Sequence, residues 1–303
     1  MIAGTTSTLP VDIVVVTWNS RDIVIRCLDS IDASAVERVV VVDNASVDGT
    51  FEAVQKMHPE ASLLRLEEET GLSAAYNRGA ERGSAELVLF LNDDVLVSRA
   101  ALDTLVEALT GHPAAVAAAG RLVDPVDGRT QAEYLPQPFP TLPALVGTLG
   151  GRRRSSERLL DVRETVAVDQ PPGACLLVRR PAFEAVGGWD EDFAFWYEDV
   201  DLARRLQDLG EVLYVPAAPF GHVGGHSAGR LSHAQVVSRH YRGALLYAGK
   251  HFRAPARIGA GMLFAVVGAA RTPFTWDPDT RRAYSRVLRD GLNTAAGRPL
   301  RRP

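Results

Sequence analysis

The sequence predicts an α/β fold: a mostly parallel central sheet flanked by helices, with a helical extension at its C-terminal end. Three observations predict it. Runs of Val, Ile, Leu and Phe without polar alternation recur at residues 11–17, 37–42 and 87–91. Such runs read as strands buried on both faces of a parallel sheet. Segments with apolar residues three and four apart separate them, which is the spacing of amphipathic helices. Each run also stops at a polar cluster, holding Asn19, then Asp43 and Asn44, then Asn92, Asp93 and Asp94. Open α/β sheets bind ligands outside the carboxyl ends of their strands, so the three clusters are expected along one sheet edge.

Residues 11–17 are the first strand, and Ile23, Val24, Cys27, Leu28 and Ile31 give the next segment helical spacing. A second strand spans 37–42, a helix 51–57, and a short third strand 63–66. The helix 73–82 opens on Gly71 and ends at Gly83, a C-terminal glycine being a common stop. After the 87–91 strand come a helix at 99–109, a strand at 116–123 and a turn at 124–128. Residues 131–158 carry four prolines, Gly150, Gly151 and the Arg152-Arg153-Arg154 cluster. That composition predicts a long excursion, either a solvated loop or a basic flap over an anionic ligand or membrane surface. Order resumes with a strand at 175–178, a helix at 181–186, a helix ending at Leu206 and a strand at 212–215. Residues 232–250 are helical, and the chain beyond Arg253 is arginine-rich.

Composition narrows the function. The chain of 303 residues is 46% hydrophobic and 23% charged, which is ordinary for one large or two modest globular domains. A net charge of −4 gives no basic footprint, so nucleic acid is excluded as the expected partner. Cys27 and Cys175 sit in apolar segments and read as reduced, buried thiols of a cytoplasmic protein. The first residues have neither a positive cluster nor a long apolar core, so no signal peptide is expected. Residues 258–270 are apolar but well short of the ~20 needed to span a bilayer. They are either a surface-lying helix or a core helix.

Two adjacent acids at a strand end are costly to bury without partners. A divalent cation held with a phosphorylated ligand would supply partners, since Mg²⁺ and Mn²⁺ favour a few carboxylates plus phosphate oxygens. The other reading is a solvated turn. No G-x-G-x-x-G follows the first strand and no G-x-x-x-x-G-K-[ST] occurs, so the dinucleotide fingerprint and the P-loop are both absent. Further on, Gly187-Gly188-Trp189-Asp190-Glu191 precedes the aromatic cluster Phe195-Trp196-Tyr197, and Glu198-Asp199-Val200-Asp201 opens a helix. Acids there either pair with the helix dipole or serve a site; Arg204 or Arg205 is the ion-pair partner offered for Asp201.

Taken in order, Val15 to Asn19, Asp43 to Thr50, Asn92 to Asp94, Gly187 to Glu191 and Glu198 to Leu202, with the late His222, resemble the family 2 glycosyltransferases of GT-A fold. Among them the chain is most similar to rhamnosyltransferase-type enzymes of cell-wall and polysaccharide assembly. The resemblance implies an inverting transfer of a sugar, rhamnose in that subgroup, from a UDP- or dTDP-sugar to a glycan, lipid-linked or small-molecule hydroxyl. It implies that Thr17, Asn19 and Asp43 hold the nucleotide, with Asp93 on the ribose or a metal-bound water. Arg78 either reaches the nucleotide or is a surface arginine. Asp94 is the implied metal ligand and His222 the second, with His226 as its competitor. Asn92 stands where many relatives have a further aspartate; its amide oxygen can still coordinate or hydrogen-bond. Asp199 is the implied general base, and Gly173, Trp189, Asp190 and Glu198 line the acceptor side. Trp189 could instead be core and Asp190 a turn acid.

The resemblance also organises the chain: residues 1–230 as the GT-A domain, divided into a nucleotide-sugar half at 1–123 and an acceptor half at 124–230, then a helical extension at 231–303. The expected cofactor is Mg²⁺ or Mn²⁺. The expected partners are the donor and acceptor, peripheral contact with the inner face of the cell membrane, and a second copy in a homodimer. Two other classes compete. A sugar-1-phosphate nucleotidylyltransferase needs a glycine-rich loop after the first strand, where this chain has none. A non-catalytic nucleotide-sugar-binding protein has no use for acids at both the metal and base positions.

Overall fold

A computed structural model describes residues 8–149, 157–224 and 231–300. The Arg152, Arg153 and Arg154 cluster, His226, Arg301 and Arg302 lie outside the described residues. The chain divides into two compact units. One comprises Met1–Pro138, Ser156–Trp189 and Leu202–Gly224; the other comprises Phe139–Ser155, Asp190–Asp201 and Gly225–Pro303.

The first unit holds the whole sheet. β1 (Leu9–Thr17) lies between β2 (Val36–Asp43) and β4 (Leu87–Asn92), parallel to both. β3 (Ser62–Arg65) adds to β2 in the same direction. Side chains alternate across the pleat: Val11, Ile13 and Val15 enter one core, and Val14 and Val16 the other. Two buried faces are why these strands read as unbroken apolar runs. Helices α1 (Arg21–Asp29) and α4 (Arg99–Thr110) bury Cys27, Leu28, Leu102 and Leu105 against the first face. Helix α3 (Leu72–Ala80) puts Ala75 and Tyr76 on the second. α3 approaches so closely that a Cβ on Gly79 would sit 2.3 Å from Val14 Cγ1. Each fully buried Leu or Ile contributes about 1.5–3 kcal/mol of transfer free energy. Helix α2 (Thr50–Met57) follows β2.

The parallel pattern breaks at β8 (Cys175–Arg179), which is antiparallel to β4 and to β6 (Ala115–Val123). An apolar run looks the same in either direction, so the sequence could not predict this reversal. β9 (Glu211–His222) runs parallel to β6, well past the expected end at residue 215. Its register shifts at Gly120–Arg121 opposite Val215–Pro219. Pro216 and Pro219 fall at that irregularity, where a missing N–H is tolerated. The short strands β5 (Val95–Leu96) and β7 (Val166–Ala167) both pair antiparallel with β9. The order is β3-β2-β1-β4-β8-β6-β9-β5. Helix α6 (Arg180–Ala185) follows β8. On β1, buried Asp12 meets Arg180 Nη2 at 2.8 Å and accepts from Ala85 N at 2.7 Å.

In the second unit, α5 (Leu142–Leu149) lies within the predicted excursion. Leu142-Pro143 suits a first helical turn, where a missing N–H costs nothing. The boundary between the units falls inside α7 (Glu198–Leu206). α8 (His233–His251) opens on a capping box between Ser232 and Gln235. α9 (Ala254–Arg271) and α10 (Pro278–Ala295) follow. Gly261, Gly268 and Gly291 let these two helices meet backbone to backbone, since a Cβ at any of them would lie 2.5–2.6 Å from the other helix's main chain. Their core gathers Leu245, Phe264, Tyr284 and Val287.

Candidate active site

The sheet register builds one edge in the first unit. Thr17 is paired with Asp43, Val16 with Asn92, and Asp43 with Arg65, so four strand ends stand side by side. Asp43 is fully buried. Its Oδ2 accepts from Ser46 N at 3.3 Å and faces Arg65 Nε at 3.6 Å. Its Oδ1 is buried with no hydrogen-bond partner. Burial raises its pKa, against the lowering pull of the Ser46 hydrogen bonds and Arg65. An unpaired buried acceptor costs about 1–3 kcal/mol, so this atom suits a ligand N–H. Arg65, braced over the Phe51 ring and on Ser46 O, was not among the expected site residues. The rule that found the others, a polar residue at a strand end, points to it as well.

The loops that follow are held in strained backbone. Asn19 and Ala45 have left-handed φ angles of 50° and 64°. Asn19 N donates to Ser46 Oγ at 2.8 Å, and its Oδ1 accepts from Val47 N at 2.8 Å. Asn19 thereby ties the two loops together. Thr17 Oγ1 donates to Asp93 Oδ2 at 2.8 Å, so a neighbouring strand orients that acid. Of the two uses open to the Asn92 amide oxygen, the structure shows the hydrogen bond: its Oδ1 accepts from the Tyr76 hydroxyl at 3.1 Å. Gly173 precedes Ala174, whose carbonyl accepts from Asn92 N at 2.9 Å, so it stands beside this strand end.

Asp94 is buried, and its Oδ1 has no hydrogen-bond partner. His222 Nε2 lies 3.5 Å from that oxygen. Gln131 Nε2 donates to His222 O at 2.8 Å, so its Oε1 is the atom 2.7 Å from His222 Nδ1. Nδ1 therefore carries the hydrogen and Nε2 turns a lone pair toward Asp94. Burial lowers the His222 pKa, against Asp94 and Glu133, which favours this neutral form. A lone pair and a carboxylate oxygen facing each other repel, and a cation between them would reverse the sign. An imidazole whose far nitrogen donates to an amide or carboxylate oxygen is the usual arrangement of a metal-binding histidine. The donor set therefore fits a divalent ion. Among the described residues no group of three or more His, Cys, Asp or Glu forms a metal cage, so a ligand's oxygens would complete the shell. Gln131 falls in the segment expected to be irregular, 91 residues from its partner, and no local pattern marks it.

In the second unit, Asp190–Asp201 carries the other acids. Trp196 and Tyr197 have φ of 67° and 70°. Bulky residues there cost on the order of 1–2 kcal/mol each. α8 accommodates them at Gly243, where a Cβ would lie 2.7 Å from Trp196 O. Of the four left-handed non-glycine residues among those described, Asn19 and Ala45 lie in expected site segments, and Trp196 and Tyr197 immediately precede Glu198. Glu198 Oε2 is shut from solvent without a partner, and burial, with Asp199 beside it, pushes its pKa up to about 8. Asp199 Oδ1 accepts from Val200 N at 2.8 Å. Asp201 Oδ1 meets His251 Nε2 at 2.7 Å, a partner that helical spacing could not offer; the Arg205 guanidinium caps the carbonyls of Val186 and Gly188. Lys250 pairs with Asp190 and with Asp192.

Two expected contacts do not fit. Trp189 is 2% exposed, stacked on Tyr76 at 5.2 Å and edge-on to Phe90 at 5.1 Å. It is a core residue, and no ring face is left for a sugar. Asn77 fixes it through both Trp189 N and Trp189 O. Arg78 is exposed and pairs with Glu81 at 3.4 Å, as a surface helix arginine does.

Residues 12–187 match the family model described as Glycosyl transferase family 2. An N-acetylglucosaminyl-diphospho-decaprenol L-rhamnosyltransferase of Mycobacterium tuberculosis is 33% identical over 284 residues, covering 83% of this chain and 89% of that one. Among solved structures, residues 1–349 of S. aureus TarS in complex with UDP-GlcNAc superpose with a TM-score of 0.58 at 16% identity, covering 95% of this chain and 82% of that one. GalNAc-T7 with UDP, GalNAc and Mn²⁺ superposes with a TM-score of 0.61 at 15% identity, covering 96% and 57%. Both likenesses show the GT-A type of fold. With a family match across more than half its length and a relative similar over most of both chains, this protein belongs to glycosyl transferase family 2.

Proposed function

We infer that this glycosyltransferase moves a deoxyhexose of the rhamnose type from a UDP- or dTDP-sugar to a hydroxyl of a lipid-linked acceptor, with inversion. The observation that carries the donor half is the pair of buried, unpartnered oxygens at two strand ends, Asp43 Oδ1 and Asp94 Oδ1. A pyrimidine N–H satisfies the first. The second, with His222, would hold a divalent cation. When bound, that ion neutralises charge on the departing nucleoside diphosphate. Asp93, whose Oδ2 accepts from Thr17, serves the ribose or a metal-bound water. The acceptor class and the sugar follow the similarity to the M. tuberculosis enzyme.

Asp199 is the general base. It takes the proton of the acceptor hydroxyl as that oxygen bonds to the anomeric carbon. The bond from that carbon to the diphosphate oxygen breaks, and its electron pair leaves with the diphosphate. Glu198, neutral near pH 7 because of its raised pKa, offers an uncharged hydrogen-bonding carboxyl beside the base. Asp190, held by Lys250, contacts the acceptor, as does Gly173. Nucleotidyl transfer is disfavoured by the absent glycine-rich loop.

The test measures release of dTDP or UDP from candidate nucleotide-sugars with Mn²⁺ or Mg²⁺ and a prenyl-diphosphate-linked N-acetylglucosamine acceptor. Asp199→Asn should lower turnover about 10²–10⁴-fold while donor-induced thermal stabilisation persists. Asp94→Ala should lose the metal-dependent part of that stabilisation. Near-wild-type turnover by the Asp199 variant would remove it from the base role, and full activity in excess EDTA would remove the metal.

A further inference from the structure

A helix that packs one side on its neighbours ordinarily carries polar residues on the other. α9 does not. It buries Ala260, Gly261, Phe264, Ala265 and Gly268, while Ile258, Met262 and Val266 lie four apart on its exposed side. Exposed Ala269 and Ala270 continue that side, and between Arg257 and Arg271 the helix has no polar side chain at all. Just beyond it, in the turn before α10, Phe274 is 82% exposed and Trp276 is 93% exposed. Single exposed apolar residues are unremarkable, but a row continued by two exposed aromatics marks a surface that meets a partner.

Charge identifies the partner. From Arg253 to the end the chain has ten arginines and three aspartates, a net +7 within a protein whose total is −4. The remaining residues are therefore strongly acidic, and the C-terminal segment that includes α9 carries the surplus of positive charge. Arg253, Arg271, Arg281 and Arg282 are exposed. An apolar stripe, an exposed Trp and a surplus of arginine form the pattern of helices that lie in a lipid headgroup layer. Anionic lipid complements this charge, whereas a second copy would bring like charges together. No described helix is long and apolar enough to cross a membrane, which leaves lying on it.

We propose that the exposed face of α9, with Phe274 and Trp276, docks this protein on an anionic lipid bilayer. Ile258, Met262 and Val266 enter the boundary between headgroups and acyl chains, and the arginines meet lipid phosphates. The proposal rests on the lipid-linked reading for its purpose, but its test needs neither donor nor acceptor, so each can fail alone.

The test is co-sedimentation with vesicles of phosphatidylcholine alone or with added phosphatidylglycerol. Wild-type protein should bind the anionic vesicles, less so in high salt. Met262→Glu combined with Val266→Glu should lower partitioning ~10-fold or more, while transfer to a soluble short-chain acceptor is retained. Trp276→Ser provides a second variant away from the helix. Brominated acyl chains should quench Trp fluorescence in the wild type and far less in Trp276→Phe. Absence of binding to anionic vesicles, or equal binding by the double glutamate variant, would overturn the proposal. So would a dimer in light scattering that the same variant abolishes, since the face would then serve a second copy.

Discussion

Glu198 holds its proton at neutral pH because burial penalises the charged form and Asp199 adds like charge. The linkage has a definite sign. The ordinary carboxyl titrates near 4.5 and the folded one at about 8. Its favourable term is complete below the lower value and is lost as pH rises through the higher one. Glu198→Gln, which has no charge to bury, should match the wild type in thermal stability near about pH 4. It should exceed the wild type by ~5 °C or more near about pH 9. A constant difference across that range would show that Glu198 is not the titrating group. At this scale the sequence was legible where a simple rule applied: Asp43 and Asp94 close apolar runs. It was silent on Gln131 and His251, whose partners lie 91 and 50 residues away, because side-chain pairing across a fold leaves no local period.

Helix α8 works as a mould for the segment ahead of the acids. The left-handed pair Trp196–Tyr197 persists because α8 packs against it at a residue lacking a Cβ, while Lys250 and His251 hold Asp190, Asp192 and Asp201. Gly243→Ala forces a contact at 2.7 Å on Trp196 O. It should destabilise by ~1–3 kcal/mol and lower transfer more than donor binding. An unchanged melting temperature together with unchanged kcat would show that the loop does not need this fit. The elements themselves were readable. Strand runs and helical spacing located β1, β2, β4, α1 and α4 to within a few residues. Direction and extent were not, as β8 and the far end of β9 illustrate: hydrophobicity reports burial, and burial is the same for either strand polarity.

At the scale of the molecule, the two compact units are not consecutive stretches of chain. Residues 139–155 and 190–201 group with the C-terminal helices, an interleaving that a reading along the sequence does not expose. Long-range pairs also hold the sheet unit together. Arg180 reaches Asp12 across 168 positions, and β8 is the strand between β4 and β6. A fragment ending at residue 123 contains the strand ends that carry Asp43 and Asn92 yet leaves one side of β4 unpaired, and open apolar edges aggregate. It should be insoluble, whereas a fragment ending at residue 224 should keep a soluble sheet unit. A monomeric, soluble 1–123 fragment in light scattering would contradict the dependence on β8.

The antiparallel insertion of β8 matters before the protein is finished. β4 leaves the ribosome with a bare flank, and the segment that covers it starts only at Cys175. At usual elongation rates that is roughly 4–17 s of exposure. Codon choice between those two strands, which changes no atom of the product, therefore governs how long that flank of the nascent chain stays uncovered.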